Sequence, residues 1–500
     1  MLSTRRTANG GIPLLYTKKA GDAQEISEAK KTQIEILQFY WVYWLVLILA
    51  VALFARLVPI RHTRSYVIVT LAMFILYGLF ILSHYVAQTI FAHLEYLRQN
   101  KKYQHVQDLI RRESEGEALS PVQRANIFRP SVCLSIPIYN EKTDIAYKCI
   151  ESCVNQKGLP IRIIAVDDGS RNYNELNRRV YSHFSDVENI SFYHQENQGK
   201  RFAQKTAFDI DNGQADLIVT IDSDTILYDP YTVLRLVQPF REERVGAVTG
   251  NMQVINTKQN RDLVPDVELE VTPLSNMIGV RYWAGFHQER ASQSYFGCVN
   301  TCSGPLSAYR NEVIQTVKED YISSKFFGSP RTFGDDRSLT TYTLGFDQGK
   351  YDVEFNQFAA CYTESPTDLK GFERQQLRWH RAYYMEFFRS CRVAIHKNIH
   401  YIYELTVNLF APLWLMTAVV NMLYLTFADR DLVFLLWYLL LVSVMAIPRY
   451  LYSIYRVHAK RFFWLFGYAY VHIIVQMPLR ILAFFTTRSS KWGTRGIDKA

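Results

Sequence analysis

The sequence lacks the cysteine pattern of a secreted, disulfide-bonded protein. Its seven cysteines are an odd number scattered over 500 residues, so they do not describe a disulfide framework. Cys149/Cys153 and Cys298/Cys302 have helical spacing, but no histidine or second pair completes a zinc site around them. Reduced thiols of this kind are typical of a cytoplasmic domain.

The sequence has no recognisable internal repeat or low-complexity segment, and we expect no secretory signal peptide. The first 35 residues are polar and carry several basic side chains, so the first apolar run begins too late for a signal peptide. We therefore expect residues 1–33 to form a polar cytoplasmic tail.

Charged residues are missing from five long stretches of the chain. These stretches are residues 36–55, 65–94, 405–428, 432–448 and 462–479. Apolar runs of this length are typical of membrane segments, and they account for a hydrophobic content of 49% and an aromatic content of 14%. Because a long polar stretch separates the two groups of runs, the sequence predicts an integral membrane protein with a large soluble domain.

The chain has a formal net charge of +9, which would also suit a nucleic-acid-binding protein. The basic residues lie beside the apolar runs, however, where they favour cytoplasmic anchoring and contact with anionic lipid. We therefore expect membrane lipid as a partner and no nucleic acid. The expected location is the plasma (cell inner) membrane, crossed several times, with the soluble domain in the cytoplasm.

The last apolar run raises a conflict of topology, because basic residues flank it on both sides. These residues are Arg449, Arg456, Lys460, Arg461, Arg480, Arg488, Lys491 and Arg495. The positive-inside rule places both flanks in the cytoplasm, and the run itself contains His472, Gln476 and Pro478. We interpret it as an interfacial or re-entrant element, which leaves four true spans and an internal tail.

The polar and apolar stretches together predict the domain organisation. After the tail at 1–33 we expect two transmembrane helices (34–94), a connector (95–130), an α/β domain (131–365), interfacial amphipathic helices (366–403), two more transmembrane helices (404–448), and a cytoplasmic loop, re-entrant helix and tail (449–500). The aromatic and basic composition of 366–403 suits the membrane interface. An ordinary amphipathic helix packed on the soluble domain is the alternative for that segment.

Strand and helix patterns alternate within 131–365. The predicted strands are 132–137, 161–166, 217–221 and 245–249, and the segment 143–156 is a predicted helix. Such alternation is typical of a mostly parallel sheet covered by helices on both faces, which is an α/β fold.

The most informative motif is Asp222-Ser-Asp224, which directly follows the β-branched run at 217–221. Its carboxylates lie at the carboxyl end of a strand, the edge at which open parallel sheets bind ligands. One carboxylate can hold a sugar or ribose hydroxyl while the other ligates a divalent metal on a diphosphate. A solvated turn is the alternative for this motif on its own.

Five further clusters follow predicted strands or begin predicted helices. They are Pro137-Ile-Tyr139-Asn-Glu141, Asp167-Asp168-Gly-Ser170, Asn197-Gln-Gly-Lys200-Arg201, Gly334-Asp335-Asp336-Arg337 and Gln375-Gln-Leu-Arg378-Trp379. The first two clusters together can supply an aromatic face and a carboxylate for a planar nucleobase. The third offers cations for a diphosphate, the fourth a carboxylate that could take the proton of an acceptor hydroxyl, and the fifth an arginine for phosphate and an indole for a sugar. Singly, each is explained as well by a turn, a solvated loop or a helix cap.

In this order the motifs resemble those of the processive family-2 glycosyltransferases, which include cellulose, chitin and hyaluronan synthases. The stretches 197–204, 219–225, 289–294, 302–310, 334–340 and 492–495 are most similar to the membrane-embedded, streptococcal type of hyaluronan synthase. The resemblance extends from about residue 35 to residue 496, and the first 30 residues depart from it. Nodulation-type chitooligosaccharide synthases share 167–172 and 374–379 and remain a close alternative.

The resemblance implies a GT-A-like fold and a role for each motif. The residues it assigns to the UDP-sugar are Pro137, Tyr139, Glu141, Asp168, Lys200, Asp222, Gln375, Arg378, Trp492 and Arg495. Those it assigns to the acceptor are Ser303, Gly304, Pro305, Leu306 and Trp379. Asp336 would be the catalytic base beside Asp335, and Asp224 would bind Mg2+ or Mn2+. Trp492 and Arg495 would lie on a loop that closes over the nucleotide.

The activity implied by the resemblance is an inverting transfer onto a growing polysaccharide. The expected donors are UDP-GlcNAc and UDP-GlcA, the expected product is hyaluronan, and the spans would carry the chain across the membrane. A chitin-like product from UDP-GlcNAc alone, a transferase acting on a polyprenyl phosphate, and a transporter or scaffold with a degenerate transferase domain are the alternatives. The number of donors, the chain length and the oligomeric state are left open.

Overall fold

The structure, a computed structural model, describes residues 65–331, 333–428 and 433–487. The chain divides into two compact units, of which the first ends at Phe80 and the second begins at Ile81. The first apolar run at 36–55, Trp492 and Arg495 lie outside the described residues.

The described chain consists of ten strands and fifteen α-helices. The strands are β1 (Val132–Ile138), β2 (Ile161–Asp168), β3 (Ile190–Gln195), β4 (Leu217–Thr220), β5 (Ile226–Leu227), β6 (Val245–Val254), β7 (Ser307–Arg310), β8 (Lys325–Phe326), β9 (Ser329–Pro330) and β10 (Asp352–Thr363). The helices are α1 (Ser65–Ser114), α2 (Pro121–Ala125), α3 (Thr143–Val154), α4 (Tyr173–Leu176), α5 (Lys200–Asp211), α6 (Thr232–Val237), α7 (Pro273–Ala284), α8 (Ala291–Tyr295), α9 (Asn311–Ser323), α10 (Asp335–Gly345), α11 (Leu369–Ala394), α12 (Ile399–Ala428), α13 (Val433–Val457), α14 (Trp464–Val471) and α15 (Met477–Phe485).

Eight of the strands form one mostly parallel sheet in the order β3-β2-β1-β4-β7-β6-β10-β5. The pairs β1–β2, β1–β4, β2–β3 and β6–β10 are parallel. β7 runs antiparallel between β4 and β6, and β5 lies antiparallel at the edge beside β10. The prediction of an α/β fold is confirmed.

The centre of the sheet is covered on both faces. Every residue of β1 is buried, and the adjacent residues Ile163 and Ile164 of β2 are both 0% exposed. Because successive side chains of a strand point to opposite faces, burial of neighbours requires packing on both sides. This explains why β1 and β2 appear in the sequence as continuous apolar runs rather than as alternating ones.

The predicted strands begin where the structure places them, but three of the four extend further. β1 ends at Ile138, β2 at Asp168 and β6 at Val254, while β4 ends one residue early at Thr220. Apolar patterns identify the buried middle of a strand, whereas its end depends on hydrogen bonds to a neighbour. The last residues of β6 pair with β10, which was not among the predicted strands.

The carboxyl-terminal third of the described chain is helical. Three described helices are long and apolar enough to cross a membrane, namely Ile75–Ser114, Tyr438–Val457 and Lys460–Phe485. By length and composition the third is able to cross, although its charged flanks led us to expect an interfacial or re-entrant element. A π-helical turn at His472–Gln476 interrupts this segment. The arrangement with four spans and an internal tail stays a prediction.

The segment predicted to hold interfacial helices is mainly one helix, α11, which contains 26 residues. The side chain of Asp368 caps its first turn by accepting a hydrogen bond from the Gly371 amide at 2.9 Å. The apolar runs at 405–428 and 432–448 fall on α12 and α13, and α13 continues past residue 448 to Val457.

Candidate active site

Loops at the carboxyl ends of three neighbouring parallel strands bring the first motifs together. Tyr139 and Glu141 follow β1, Asp168 ends β2, and Asp222 and Asp224 follow β4. The Ser223 hydroxyl donates to the Glu141 carboxylate at 2.8 Å and so joins two of these loops. The strand edge that the sequence indicated as a ligand site is therefore the edge at which these residues meet.

The buried Asp168 carboxylate organises the loop that precedes α5. It accepts hydrogen bonds from the backbone amides of Gln198 at 3.0 Å and Gly199 at 2.8 Å, and from the Gln195 side chain at 2.7 Å. Gly169 has a φ of +72°, and a Cβ atom on it would lie 2.8 Å from the Asn197 nitrogen. The Asp-Gly pair thus lets two loops approach closely enough to fix the start of α5.

Pro137 and Asp167 belong to the strands β1 and β2 that end at the same edge of the sheet. Pro137 is buried in β1, opposite Val166 of β2. Asp167 accepts a hydrogen bond from the Tyr181 hydroxyl at 2.8 Å and lies 2.9 Å from His194 Nδ1. No local pattern in the sequence indicated Tyr181 and His194 as partners of Asp167, because tertiary contacts bring both to it.

Lys200 connects the motif after β4 with the motif that begins α10. Its ammonium group lies 2.6 Å from Asp222 Oδ1 and 2.7 Å from Asp335 Oδ2. Burial lowers the pKa of Lys200, but the charges of Asp222 and Asp335 outweigh this effect and raise the pKa above its ordinary value. A permanent positive charge therefore lies between two loops that are more than 100 residues apart in sequence.

Asp335 and Asp336, adjacent at the start of α10, have different electrostatic surroundings. Burial raises the pKa of Asp335, but the positive charge of Lys200 outweighs it and holds the pKa below the usual range. Burial and then the charge of Asp335 raise the pKa of Asp336. Because a raised pKa makes a carboxylate a stronger proton acceptor, these surroundings favour Asp336 over Asp335 as an acceptor of protons.

Arg201 lies elsewhere than the sequence indicated. We expected it to offer a cation to a diphosphate together with Lys200, but its side chain is buried. Its guanidinium donates to the carbonyl oxygens of Tyr321 at 2.9 Å, Phe333 at 3.0 Å and Gly334 at 3.2 Å. Arg201 therefore holds the loop in front of Asp335 in place. Neighbouring helical residues point in different directions, so sequence adjacency does not put both cations in one site.

The segment Ser303–Leu306 reaches the motif after β4 at its glycine. A Cβ atom on Gly304 would lie 2.8 Å from Asp222 Oδ2, so a larger residue would collide with that carboxylate. The Ser303 amide donates to Thr249 Oγ1 at 2.9 Å, and Leu306 is 0% exposed. Pro305 is half-buried. Leu306 thus shapes this region from within the core, whereas Gly304 borders the site directly.

Helix α11 presents the residues of its motif beside α7. Trp379 is 37% exposed, and its ring centroid lies 6.3 Å from that of Tyr282. Gln375 and Arg378 are half-buried on the same helix. Burial raises the pKa of Tyr282, and the charges of Arg378 and Asp224 act on it with opposite signs. Tyr282 was not among the sequence-predicted residues, because nothing in its local pattern marks it.

The residues around Asp224 fit a divalent cation that is completed by substrate. Asp224 is half-buried and accepts a hydrogen bond from the Thr363 hydroxyl at 3.3 Å. Among the described residues no group of three or more His, Cys, Asp or Glu could enclose a metal. One or two carboxylates together with phosphate oxygens are the usual ligands of Mg2+ in nucleotide sites. The chain therefore fits a shared site rather than a closed protein cage.

Comparisons with known proteins identify the family of this chain. The family model described as "Glycosyl transferase family 2" matches residues 133–318. Hyaluronan synthase of Streptococcus pyogenes is 31% identical over 369 residues, which cover 73% of this chain and 83% of that protein. Human hyaluronan synthase 3 is 29% identical over 462 residues, which cover 84% of this chain and 77% of that protein.

Among solved structures, a mannosyltransferase from Pyrobaculum calidifontis in complex with GDP-Man and Mn2+ is similar with a TM-score of 0.48. It is 18% identical and covers 77% of this chain and 99% of its own.

The fold and the site define a membrane-associated glycosyltransferase with a GT-A-like domain of family 2. The chain belongs to the hyaluronan synthase family. Transfer of hexosyl groups is therefore its class of reaction.

Proposed function

We propose that this chain polymerises UDP-GlcNAc and UDP-GlcA into hyaluronan and passes the growing polymer across the membrane. The observation that carries the proposal is the contact of Lys200 with both Asp222 and Asp335. This contact joins Asp222, which is expected to contact the nucleotide, to the loop that carries Asp336, the expected base. A transferase needs both in one place, because the acceptor oxygen must meet the donor's anomeric carbon.

In the proposed reaction, Asp336 accepts the proton of a hydroxyl on the terminal sugar of the acceptor. The oxygen then attacks the anomeric carbon from the face opposite UDP, the bond to UDP breaks, and the diphosphate leaves with added negative charge. Lys200 and Arg378 supply positive charge where this negative charge develops. The exposed face of Trp379 packs against the acceptor sugar and holds it in line.

A divalent cation, when bound, would stabilise the leaving diphosphate as a Lewis acid. Asp224 would hold it together with phosphate oxygens, while Asp222 orients the nucleotide from its contact with Lys200. Whether Mg2+ or Mn2+ serves better depends on the substrate oxygens that complete the site.

Half-buried arginine side chains favour an anionic product over a chitin-like one. Arg290, Arg337 and Arg480 are half-buried. Burial lowers the pKa of Arg290 and Arg337, and the negative charge of Asp336 opposes this in both, so these two arginines lie near the proposed base. The guanidinium groups of Arg337 and Arg480 lie 5.3 and 5.5 Å from the ring centroid of Tyr383. Half-buried positive charge of this kind suits a polymer with a carboxylate on alternate sugars, whereas a neutral GlcNAc chain would bring no opposite charge to it.

The donor requirement tests the product directly. With purified enzyme in lipid nanodiscs, we expect high-molecular-weight polymer only when UDP-GlcNAc and UDP-GlcA are both present, and only background radiolabel incorporation with either alone. Hyaluronidase should digest the product and chitinase should leave it intact. A chitinase-sensitive polymer from UDP-GlcNAc alone would identify the chitin-like alternative. A short, lipid-extractable product would identify transfer to a polyprenyl phosphate.

The tail is expected to be cytoplasmic and to cap the bound nucleotide. Since Arg495 is proposed to meet a phosphate, Arg495→Ala should reduce turnover severalfold and leave the amount of membrane-inserted protein unchanged. Arg488→Ala, a substitution nearer the membrane segment, is the matched control and should have a smaller effect on turnover.

The side of the membrane on which the tail lies is measured separately. Asp498→Cys, in a background in which Cys391→Ser removes the exposed native thiol, should resist impermeant thiol reagents in intact cells and react in inverted vesicles. Labelling from outside intact cells would contradict both the topology and the capping role.

A further inference from the structure

A short hairpin presents an exposed aromatic side chain just before the loop of the catalytic base. β8 and β9 pair antiparallel, with Lys325 opposite Pro330 and Phe326 opposite Ser329. The turn residues Phe327 and Gly328 both have positive φ, 45° and 84°. Phe327 is 69% exposed, although a bulky side chain is uncommon at such a backbone position. Exposure of this much aromatic surface to water is unfavourable, so its surroundings need an explanation.

Phe327 lies at one end of a continuous series of aromatic rings, here called the aromatic strip. The strip consists of Phe327, Phe388, Phe387, Tyr383, Tyr384 and Phe484. Successive ring centroids are separated by 6.4, 5.9, 6.1, 5.3 and 5.3 Å. Its far end, Phe484, belongs to the segment Lys460–Phe485, which is long and apolar enough to span a membrane. The strip therefore connects the hairpin with a candidate membrane segment.

Large apolar side chains are exposed along this path. Phe388 is 57% exposed, Phe484 57% and Phe485 77%. Ile395, which directly follows α11, is 79% exposed. On α12 the exposed residues Ile399, Ile402, Phe410 and Leu413 recur at helical spacing and continue the apolar surface. On a soluble protein such an apolar surface would promote aggregation, whereas beside a membrane helix it can contact lipid.

The charges beside the strip have the sign that favours a lipid surface. Lys325 on the hairpin and Arg392 on α11 are both exposed. Aromatic residues with neighbouring Lys and Arg are typical of the cytoplasmic membrane–water interface, where the rings lie at headgroup depth and the cations meet anionic lipid.

We propose that the hairpin, residues 324–331, inserts Phe327 into the cytoplasmic membrane interface, and that this lipid contact positions the loop that carries the catalytic base. The positioning step rests on the proposed function, since it needs Asp336 as the base. The occupant is the bilayer itself: Tyr383 and Tyr384 in the middle of the strip are buried, but its exposed ends are the hairpin and a candidate membrane segment.

The hairpin is joined to the base loop through α11. Arg331 forms an ion pair with Glu386 at 2.5 Å, and Glu386 also pairs with Arg389 at 3.1 Å. Arg389 donates in turn to the Ser338 hydroxyl on α10 at 3.3 Å. These contacts link the segment that bears Arg331 to the helix that begins with the two aspartates.

The residues between the hairpin and the base are also held against α11. Phe333 is 1% exposed and packs in a cluster with Phe326, Ala382 and Met385. A Cβ atom on Gly334 would lie 2.6 Å from the Cβ of Ala382, so the loop presses closely on the helix. A shift of the hairpin would therefore displace α11 or the loop that leads to Asp336. Phe327 is accordingly a positioning residue and does not touch substrate.

Lipid contact is tested first, by a readout that does not depend on activity. In the Cys391→Ser background, Phe327→Cys is labelled with bimane and reconstituted in nanodiscs with or without brominated phospholipid. Most of the bimane emission should be lost with brominated lipid. Val122→Cys, at a side chain that is 75% exposed on α2 beyond the end of α1, is the matched control and should keep its emission.

Equal emission from position 327 in both lipids would overturn the insertion. Shielding of the 327 label that depends on enzyme concentration rather than on brominated lipid would instead assign the surface to a second copy of the chain, and would equally overturn it.

The positioning role is tested with Phe327→Asp and Phe327→Leu. The aspartate variant would keep the hairpin out of the interface, so we expect a severalfold fall in kcat with the KM of both donors unchanged. The leucine variant should restore kcat, because it keeps the apolar contact. Equal kcat for the two variants would refute the coupling. If the wild-type enzyme made no polymer from the two UDP-sugars, the proposed function would fail while the quenching result stood.

Discussion

Asp336→Asn is expected to fold, to enter the membrane and to bind UDP, yet to form no polymer. The amide has nearly the same shape as the carboxylate but cannot accept the acceptor's proton. Because the base also orients the attacking hydroxyl, the expected loss of turnover is several orders of magnitude. Radiolabel incorporation into polymer measures turnover, and calorimetric titration with UDP measures binding. Turnover near that of the wild type would move the assignment to Asp335 or another group.

Asp335→Asn is the matched control for this experiment. Asp335 lies 2.7 Å from the ammonium group of Lys200, so its amide variant should disturb the charge that meets the nucleotide and weaken UDP binding. Asp336→Asn should leave UDP binding intact. If both variants weakened UDP binding equally, the division of roles between the two aspartates would be wrong.

The pH profile provides a second reading of the same base. Only the deprotonated form of Asp336 can accept a proton, and this form is lost as the pH falls through its pKa. Burial and the charge of Asp335 raise that pKa, so turnover should decline at a higher pH than an ordinary aspartate would produce. The decline should appear in kcat, measured at saturating concentrations of both donors. Circular dichroism over the same pH range should show that the protein stays folded.

Removal of divalent cations is expected to abolish polymer formation. EDTA should reduce incorporation to background, and Mn2+ or Mg2+ added in excess should restore it, because a bound cation would stabilise the negative charge that develops on the leaving diphosphate. The expected ligand of the cation is Asp224, whose carboxylate lies at the edge of the sheet where the nucleotide is expected. Full activity in chelator would refute the metal role.

Asp224→Asn separates a metal effect from a general effect of EDTA. The variant should stay inactive in Mn2+ or Mg2+ at concentrations that restore the chelated wild type, since an amide is a weaker ligand than a carboxylate. Its secondary structure and membrane insertion should equal those of the wild type. Thr363→Val, which removes the hydroxyl that donates to Asp224, is a milder control and should retain metal-dependent activity.

The α/β fold and several strand positions could be predicted because burial leaves a local signature. The apolar runs that became β1, β2 and β4 are continuous in sequence since both faces of those strands are covered. β7 and the two-residue strand β5 lack such runs, and their antiparallel pairing depends on partners far away in the chain. Local pattern therefore identified the centre of the sheet and missed its reversals.

In the candidate site, too, local sequence patterns indicated some features, and others became apparent only in the folded structure. The sequence marked Lys200 and Arg201 alike, as adjacent cations. The fold sends the first to two carboxylates and buries the second against backbone carbonyls. Tyr282 beside Trp379 was not marked at all, because an aromatic residue in a helix has no feature that distinguishes a site from a core.

The sequence by itself indicated the class of chemistry, because the order of its motifs resembles that of the family-2 glycosyltransferases. The apolar runs likewise indicated a membrane protein, because length and lack of charge are enough to favour lipid. The resemblance to the family had pointed to Asp336 as the base, and only the tertiary structure supplies a physical reason to prefer it to Asp335. That reason lies in their surroundings: Lys200 holds the pKa of Asp335 down, whereas burial and the charge of Asp335 raise the pKa of Asp336. Electrostatic fields depend on distance in space, which sequence order does not specify.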